Sequence, residues 1–126
     1  MTKAAQLRAK FRDKPLTHII GAHNPLSARL AEEAGFDGVW ASGFELSAAS
    51  GVPDASLISM TEHLVAARAM NEAVAIPVVA DVDTGYGNAI NAMHTLKHYE
   101  AAGMAAMVME DKTFPKDTSL LAGGRQ

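Results

Sequence analysis

The stretch PVVADVDTGYGN, residues 77–88, joins a short apolar run to two carboxylates and a glycine-rich turn. The apolar residues 78–80 predict a buried β-strand, and Asp81 and Asp83 follow at its carboxyl end. Because side chains alternate in direction along a strand, these two carboxylates are expected to project the same way. The pattern indicates a polar site at the end of a strand. An acidic turn in which Asp83 caps the next segment would give the same pattern.

Segments of the same kind lie on both sides of this stretch. Apolar runs predict further strands at residues 16–22, 38–41 and 105–109, and helical periodicity with capping residues predicts helices at 1–14, 24–34, 59–76 and 88–102. Residues 42–58 are predicted to form a long connecting loop, and such loops are more often functional than idle.

The helix predicted at residues 88–102 carries two opposite faces. Its buried stripe is predicted to consist of Ala89, Met93, Leu96 and Tyr99. His94 and His98 lie one turn apart on the other face. That spacing can bind metal, but no third ligand is evident, so we interpret the pair as a solvated surface.

The alternation of strands and helices predicts an α/β fold with four parallel strands and crossover helices. In such an array the carboxyl ends of the strands share one rim, where active sites are built. The polar residues that follow the four strands would meet there: His23 and Asn24, Ser42 and Gly43, Asp81 and Asp83, and Glu110. A complete (β/α)₈ TIM-type barrel needs about 250 residues. We therefore expect residues 1–126 to be one partial domain, the N-terminal half of a truncated barrel, with a small doubly wound domain as the alternative.

Composition excludes several classes of function. The net charge of −3 and the lack of a Lys/Arg stripe argue against binding to nucleic acid or to an anionic membrane. The absence of cysteine excludes disulfides, zinc ribbons and thiol nucleophiles, and it fits a cytoplasmic protein. No apolar run approaches the roughly 20 residues of a membrane span.

The acids at the predicted rim suit a hard divalent cation. Asp81, Asp83 and Glu110, with Asp54 from the long loop, offer only oxygen ligands, which favour Mg²⁺ over zinc or copper. Such a cation would stabilise an oxyanion such as an enolate. The Ser42–Gly43 turn can offer backbone N–H groups to the same oxygen, although it also reads as an ordinary turn.

The segment after the last predicted strand carries a cation and hydroxyl groups. Lys116, Thr118 and Ser119 could close over an anionic group and exclude water from the site. The alternative interpretation is a solvated loop tip.

Three segments, WASGFE at 40–45, DVDTGYGN at 81–88 and EDKTFPKDTS at 110–119, closely resemble the phosphoenolpyruvate mutase/isocitrate lyase superfamily. The similarity extends over nearly the whole chain. It implies an (α/β)₈ barrel that binds Mg²⁺, or Mn²⁺ or Co²⁺ in its place, and acts on a small 2-oxo acid or phosphonate. It also implies a homo-oligomer at full length.

The resemblance assigns roles to individual residues. Asp81 would be the direct metal ligand, and metal-bound waters would be held by Asp54, Asp83 and Glu110. Trp40, Ser42 and Gly43 would line the pocket for the carboxylate and carbonyl end of the substrate. Lys116, Thr118 and Ser119 would belong to a gating loop over the phosphonyl group, with Lys116 balancing phosphoryl charge and Thr118 attacking phosphorus or orienting water.

The same loop discriminates between branches of the family. The lyase branch carries a catalytic cysteine here, and this chain has none. The mutase branch typically has asparagine where this chain has Thr118, so the resemblance favours the branch that hydrolyses the carbon–phosphorus bond of phosphonopyruvate to pyruvate and phosphate. The alternatives are a mutase, another 2-oxo-acid lyase or decarboxylase of the superfamily, and a non-catalytic barrel fragment.

Overall fold

The computed structural model describes residues 1–118, which form one parallel sheet with helices against it. The helices and strands follow in this order: α1 Lys3–Asp13, β1 Ile19–Ala22, α2 Pro25–Glu33, β2 Gly38–Ala41, α3 Gly43–Ala49, α4 Met60–Ala73, β3 Val78–Asp81, α5 Ala89–Ala101 and β4 Ala106–Val108. The sheet order is β1-β2-β3-β4, and every neighbouring pair is parallel. The predicted α/β architecture with four parallel strands is confirmed.

Local capping explains where the helices begin. Asn24, Ser59 and Asn88 each accept a hydrogen bond from the backbone of the first helical turn, and each completes a reciprocal capping box. Pro25 occupies the first position of α2, where its missing N–H costs no hydrogen bond. α2 and α5 both end before a glycine in the left-handed region, Gly35 and Gly103.

The core lies between the sheet and the helices α2, α4 and α5. In register, Val39 pairs with Val78 and Ala41 with Ala80, and all four side chains are fully buried. Each buried Val contributes roughly 1.5–3 kcal/mol to the free energy of folding. Alternation places Trp40, Val79 and Asp81 on the opposite face, so this core fixes which way the acid at the end of β3 points.

Three sequence predictions are wrong in detail. β1 begins at Ile19 and not at residue 16, and Leu16 is exposed. The segment 42–58 is not a continuous loop, because Ser42 caps the seven-residue helix α3. The predicted apolar stripe of α5 is also wrong for Ala89, Met93 and Leu96, whereas Tyr99 is buried as predicted.

The buried face of α5 is formed by Thr95 and Tyr99. Met93 is 62% exposed and Leu96 is 40% exposed, because α5 is rotated relative to the stripe that the apolar residues suggested. Within residues 1–118, the helices all fall short of the length and apolarity that a membrane crossing requires.

Candidate active site

Asp81 lies at the carboxyl end of β3, where backbone groups from two segments hold its carboxylate. The N–H of Gly43 donates to Oδ2 at 2.9 Å, and the N–H of Asp83 donates to Oδ1 at 3.2 Å. Both oxygens are therefore fixed by main-chain donors at the first turn of α3 and in the turn after β3. A carboxylate held in this way is oriented before any ligand arrives.

Gly43 leaves little room for a side chain because the two acids occupy the space beside it. A Cβ atom there would lie 3.0 Å from Asp81 Oδ2 and 3.0 Å from Asp83 Oδ1. The two carboxylate oxygens thus flank the same point, as the sequence predicted from their spacing. Asp83 also has a φ of 48°, in the left-handed region that Asp tolerates better than most residues.

Lys116 is the centre of the acidic cluster. Its Nζ lies 2.8 Å from Asp83 Oδ1, 3.0 Å from Asp54 Oδ1 and 3.6 Å from Glu110 Oε1. The Lys116 side chain is only 4% exposed. Burial alone would lower the pKa of Lys116, but the close ion pairs with Asp83 and Asp54 outweigh it and raise that pKa above its ordinary value. Lys116 is therefore a buried, fully charged ammonium.

The pKa values of the acids respond to the same contacts. Burial raises the pKa of Asp83 above its ordinary value, although Lys116 acts in the opposite direction. Burial also acts to raise the pKa of Glu110, but the hydrogen bond from Lys112 and the charge of Lys116 outweigh it, and the pKa is lowered. The Lys112 Nζ lies 3.0 Å from Glu110 Oε2.

Main-chain hydrogen bonds draw the segment after β4 onto its neighbours. The N–H of Glu110 donates to the carbonyl of Asp83 at 2.7 Å, and the N–H of Lys116 donates to Ser56 Oγ at 3.3 Å. These bonds connect the loop to the turn after β3 and to the connection between α3 and α4. The four predicted metal-ligating acids are thereby brought to one end of the sheet.

The residues predicted to line the pocket have distinct positions. The Ser42 hydroxyl accepts the N–H of Glu45 at 3.1 Å, so it serves as the N-cap of α3. The Gly43 N–H, predicted to stabilise a substrate oxyanion, is in this structure committed to Asp81. Trp40 is half-buried on the same face of the sheet as Asp81.

Thr118 lies beside Asp54 in a cavity of about 200 Å³ that α3 lines with Phe44, Ser47 and Ala48. The cavity is predominantly apolar apart from these hydroxyl and carboxylate groups. The prediction for Ser119 concerns a residue outside the described residues.

The acids fit a divalent cation by their chemistry. Asp54, Asp83 and Glu110 already surround one positive charge, the Lys116 ammonium, and all their donors are hard oxygens. As the side chains stand, no group of three or more His, Cys, Asp or Glu residues in the described part of the chain is arranged to hold a metal ion. The ammonium occupies the position between three of them. His94 and His98 are exposed, with ring centroids 4.2 Å apart, as the surface interpretation predicted.

Sequence reasoning missed a buried polar group beneath these acids. His63 is 1% exposed; its Nδ1 lies 2.6 Å from the Tyr99 hydroxyl and its Nε2 lies 3.1 Å from the carbonyl oxygen of Ala41. The signal available in the sequence was a histidine on the apolar side of α4, one turn before Ala67. Burial lowers the pKa of His63, so the ring is neutral near pH 7.

Comparison with known proteins assigns this polypeptide to a family. A sequence model of the phosphoenolpyruvate phosphomutase family matches residues 7–123. Phosphonopyruvate hydrolase from Variovorax sp. (strain Pal2) is 57% identical over all 126 residues, which cover 43% of its length.

Two solved structures resemble the chain closely. The phosphoenolpyruvate phosphomutase from Streptomyces platensis subsp. rosaceus has a TM-score of 0.93 and 60% identity, over 95% of this chain and 42% of the other. A phosphonopyruvate hydrolase complex with oxalate and Mg²⁺ has a TM-score of 0.89 and 56% identity, over 97% and 43% of the two chains. The chain thus spans about two fifths of the relatives that it matches. It belongs to the phosphoenolpyruvate phosphomutase family, within the PEP mutase/isocitrate lyase superfamily of TIM-barrel enzymes.

Proposed function

We propose that this chain is part of a divalent-cation-dependent (β/α)₈ enzyme that hydrolyses the carbon–phosphorus bond of phosphonopyruvate to pyruvate and phosphate. The observation that carries the proposal is the gathering of Asp54, Asp83 and Glu110 around Lys116 beside the fixed carboxylate of Asp81. The 57% identity to a phosphonopyruvate hydrolase supports the same activity.

The carboxylates supply the site for the cation. Asp81 is the direct ligand in this proposal, and Asp54, Asp83 and Glu110 hold the cation's water molecules. When bound, Mg²⁺ supplies Lewis-acid stabilisation of negative charge on the oxygens of a 2-oxo acid. That chemistry suits the reaction because the carbon leaving group takes the electron pair of the broken bond and is an enolate until it is protonated.

The loop after β4 supplies the groups that act on phosphorus. The Thr118 hydroxyl attacks phosphorus or orients the attacking water, and the Lys116 ammonium balances the charge of the phosphoryl group. Overall, one water contributes its oxygen to phosphate and a proton to the methyl group of pyruvate, so the reaction consumes no redox cofactor. Trp40, Ser42 and Gly43 border the 2-oxo-acid end of the substrate, and Ser119 belongs to the same gating loop as Thr118.

The test follows both products of phosphonopyruvate turnover by the complete polypeptide. Lactate dehydrogenase measures pyruvate, a molybdate assay measures phosphate, and we expect them in equal amounts. Chelation should abolish turnover, and added Mg²⁺ should restore it. Thr118→Ser should retain turnover that Thr118→Ala loses. Release of neither product would reject the proposal.

A phosphomutase is the second candidate, because the mutase from Streptomyces platensis is 60% identical to this chain. Its reaction converts phosphonopyruvate to phosphoenolpyruvate, which releases no phosphate. Pyruvate kinase with ADP detects phosphoenolpyruvate specifically. Phosphoenolpyruvate without stoichiometric phosphate would therefore replace the hydrolase by the mutase.

A further inference from the structure

A chain of buried polar side chains runs beneath the acidic cluster. His63 on α4 connects Tyr99 on α5 with the carbonyl of Ala41, the last residue of β2. Tyr86, partly buried in the segment after β3, interacts with Tyr99 and extends the chain. Tyr99 is completely buried and His63 almost so. The four residues lie on four different segments, so the chain connects parts of the fold that are distant in sequence.

The direction of every hydrogen bond follows from one atom. The carbonyl oxygen of Ala41 can only accept, so His63 Nε2 carries a proton and donates to it over 3.1 Å. In the neutral ring Nδ1 is then an acceptor, and the Tyr99 hydroxyl donates to it over 2.6 Å. The Tyr99 proton is used in this way, so a hydrogen bond between the two tyrosine hydroxyls would have Tyr86 as its donor.

Both ends of the chain lie next to groups that hold the acids. Ala41 is followed by Ser42 and then Gly43, whose N–H donates to Asp81. At the other end, Tyr86 lies three residues after Asp83 and directly follows the turn that the hydrogen bond from Gly85 to Val82 closes.

The backbone between Asp83 and Tyr86 is strained and needs contacts that hold it in place. Asp83 and Tyr86 have φ values of 48° and 61°, which are costly for residues other than glycine, by roughly 1–2 kcal/mol each. Thr95 supplies a further contact to this turn, since its hydroxyl lies 3.3 Å from the carbonyl of Gly85. A Tyr86 hydroxyl that donates to the fully buried Tyr99 oxygen would hold the strained turn against the body of the fold.

We propose that Tyr86, Tyr99 and His63 are positioning residues that fix the end of β2 and the turn after β3 relative to each other, and so set the placement of the Asp81 and Asp83 carboxylates. Their importance for catalysis rests on the proposed function; their effect on the two carboxylates does not. None of the three side chains has to contact substrate for this role. The prediction is that removing one of these tyrosine hydroxyls weakens the backbone hydrogen bonds that hold Asp81 and the turn after β3, although neither bond involves the removed hydroxyl.

The experiment measures amide hydrogen exchange by NMR in the metal-free protein. Exchange of the Gly43 amide measures how often its hydrogen bond to the Asp81 carboxylate opens. Exchange of the Glu110 amide, which donates to the carbonyl of Asp83, measures opening at the turn after β3. The Val39 amide donates to Pro77 within the sheet and serves as the reference. Ratios to Val39 separate local opening from a general loss of stability.

Two single-hydroxyl deletions should give different patterns. Tyr99→Phe removes the central link and leaves His63 Nδ1 without its donor, so both ratios, Gly43 to Val39 and Glu110 to Val39, should rise about tenfold. Tyr86→Phe removes the outer donor alone, so the Glu110 ratio should rise and the Gly43 ratio should change less than threefold. Met70→Ala removes a core side chain of α4 that makes no hydrogen bond to Tyr86, Tyr99 or His63, so it should leave both ratios unchanged.

Two results would overturn the proposal. One is Tyr99→Phe with both ratios at their wild-type values. The other requires no variant: ¹⁵N shifts of the His63 ring in the wild-type protein that place its proton on Nδ1 and not on Nε2. Neither result depends on turnover, so an inactive wild-type protein would refute the proposed hydrolase while these measurements still decided the positioning role.

Discussion

Replacing Lys116 by Met should destabilise the protein far more than replacing its neighbour Lys112. Lys116 is 4% exposed and pairs with Asp83, which is itself only 7% exposed at its side chain. Removing one partner of a buried ion pair costs about 3–5 kcal/mol, because the remaining charge is left without compensation. Lys112 pairs with Glu110, and the side chains of that pair are 24% and 38% exposed. Partly exposed pairs of this kind contribute about 0–1 kcal/mol.

The assay is urea unfolding at pH 7, followed by the fluorescence of Trp40, the single tryptophan. For an m-value of about 1–3 kcal/mol per molar urea, a loss of 3 kcal/mol moves the midpoint by at least about 1 M. Lys112→Met is the matched control, since it removes the same charge from the same loop. Equal unfolding free energies for the two variants, within 1 kcal/mol, would refute the buried-pair argument.

The pH dependence of the unfolding free energy lost in Lys116→Met, its stability deficit, tests the same effect in a second way. Without the ammonium, burial raises the pKa of Asp83 further above its ordinary value of 3.8. A carboxyl whose folded-state pKa is raised binds a proton more readily in the folded than in the unfolded state. Stability therefore improves as the pH falls, and the deficit should shrink between pH 7 and pH 4. A divalent cation should also reduce the deficit, because it replaces the missing positive charge.

Three further predictions concern single residues. Gly43→Ala should weaken Mg²⁺ binding at least about tenfold in a fluorescence titration, because its Cβ would lie 3.0 Å from two carboxylate oxygens of the proposed cation site. Unchanged affinity would contradict this crowding argument. The folded-state pKa of His63 is lowered by burial, so the unfolded protein binds more protons than the folded protein below pH 6.5. The unfolding free energy should therefore fall as the pH drops from 7 to 5.5. His63→Gln should remove this contribution to the pH dependence of the unfolding free energy. His94→Ala and His98→Ala should each change the unfolding free energy by less than about 0.5 kcal/mol and leave the Mg²⁺ affinity unchanged, because both rings are exposed. Tighter or weaker Mg²⁺ binding in either variant would contradict the interpretation of this histidine pair as a solvated surface.

The parts of the fold that sequence could predict are those that local chemistry determines. Asn24, Ser59 and Asn88 predicted the start of three helices, because each capping side chain accepts backbone N–H groups of its own first helical turn. α3 was missed although Ser42 and Glu45 have the spacing of a capping pair, since the glycine and serine residues around them also suit a loop. The rotation of α5 could not be read from its own residues, because its packing partners decide which face is buried.

The candidate site divides in the same way. Alternation along β3 predicted that Asp81 and Asp83 project the same way, and both carboxylates do lie beside Gly43, although Asp83 follows the end of β3 with a φ of 48°. Parallel topology predicted that Glu110 lies at the same end of the sheet. The contact of Lys116 with three acids depends on how the loop after β4 folds back, which no local pattern records. The pairing of His63 with Tyr99 spans 36 residues and joins two helices. Side-chain convergence of this kind becomes visible only when the tertiary structure is known.

The charges at the site explain why an acidic cluster can be stable before a cation binds. Four carboxylates gathered at one end of a sheet repel one another, and burial makes the repulsion stronger. The Lys116 ammonium offsets part of it by lying within 4 Å of three of them. Because the Lys116 ammonium and the Lys112 ammonium beside Glu110 cannot together neutralise four carboxylates, the cluster keeps an excess of negative charge and remains attractive to a divalent cation. A cation bound as proposed would therefore share its carboxylates with Lys116. Since Thr118 lies two residues beyond Lys116 on the same loop, we expect binding of the cation and placement of the proposed catalytic hydroxyl to depend on one set of contacts.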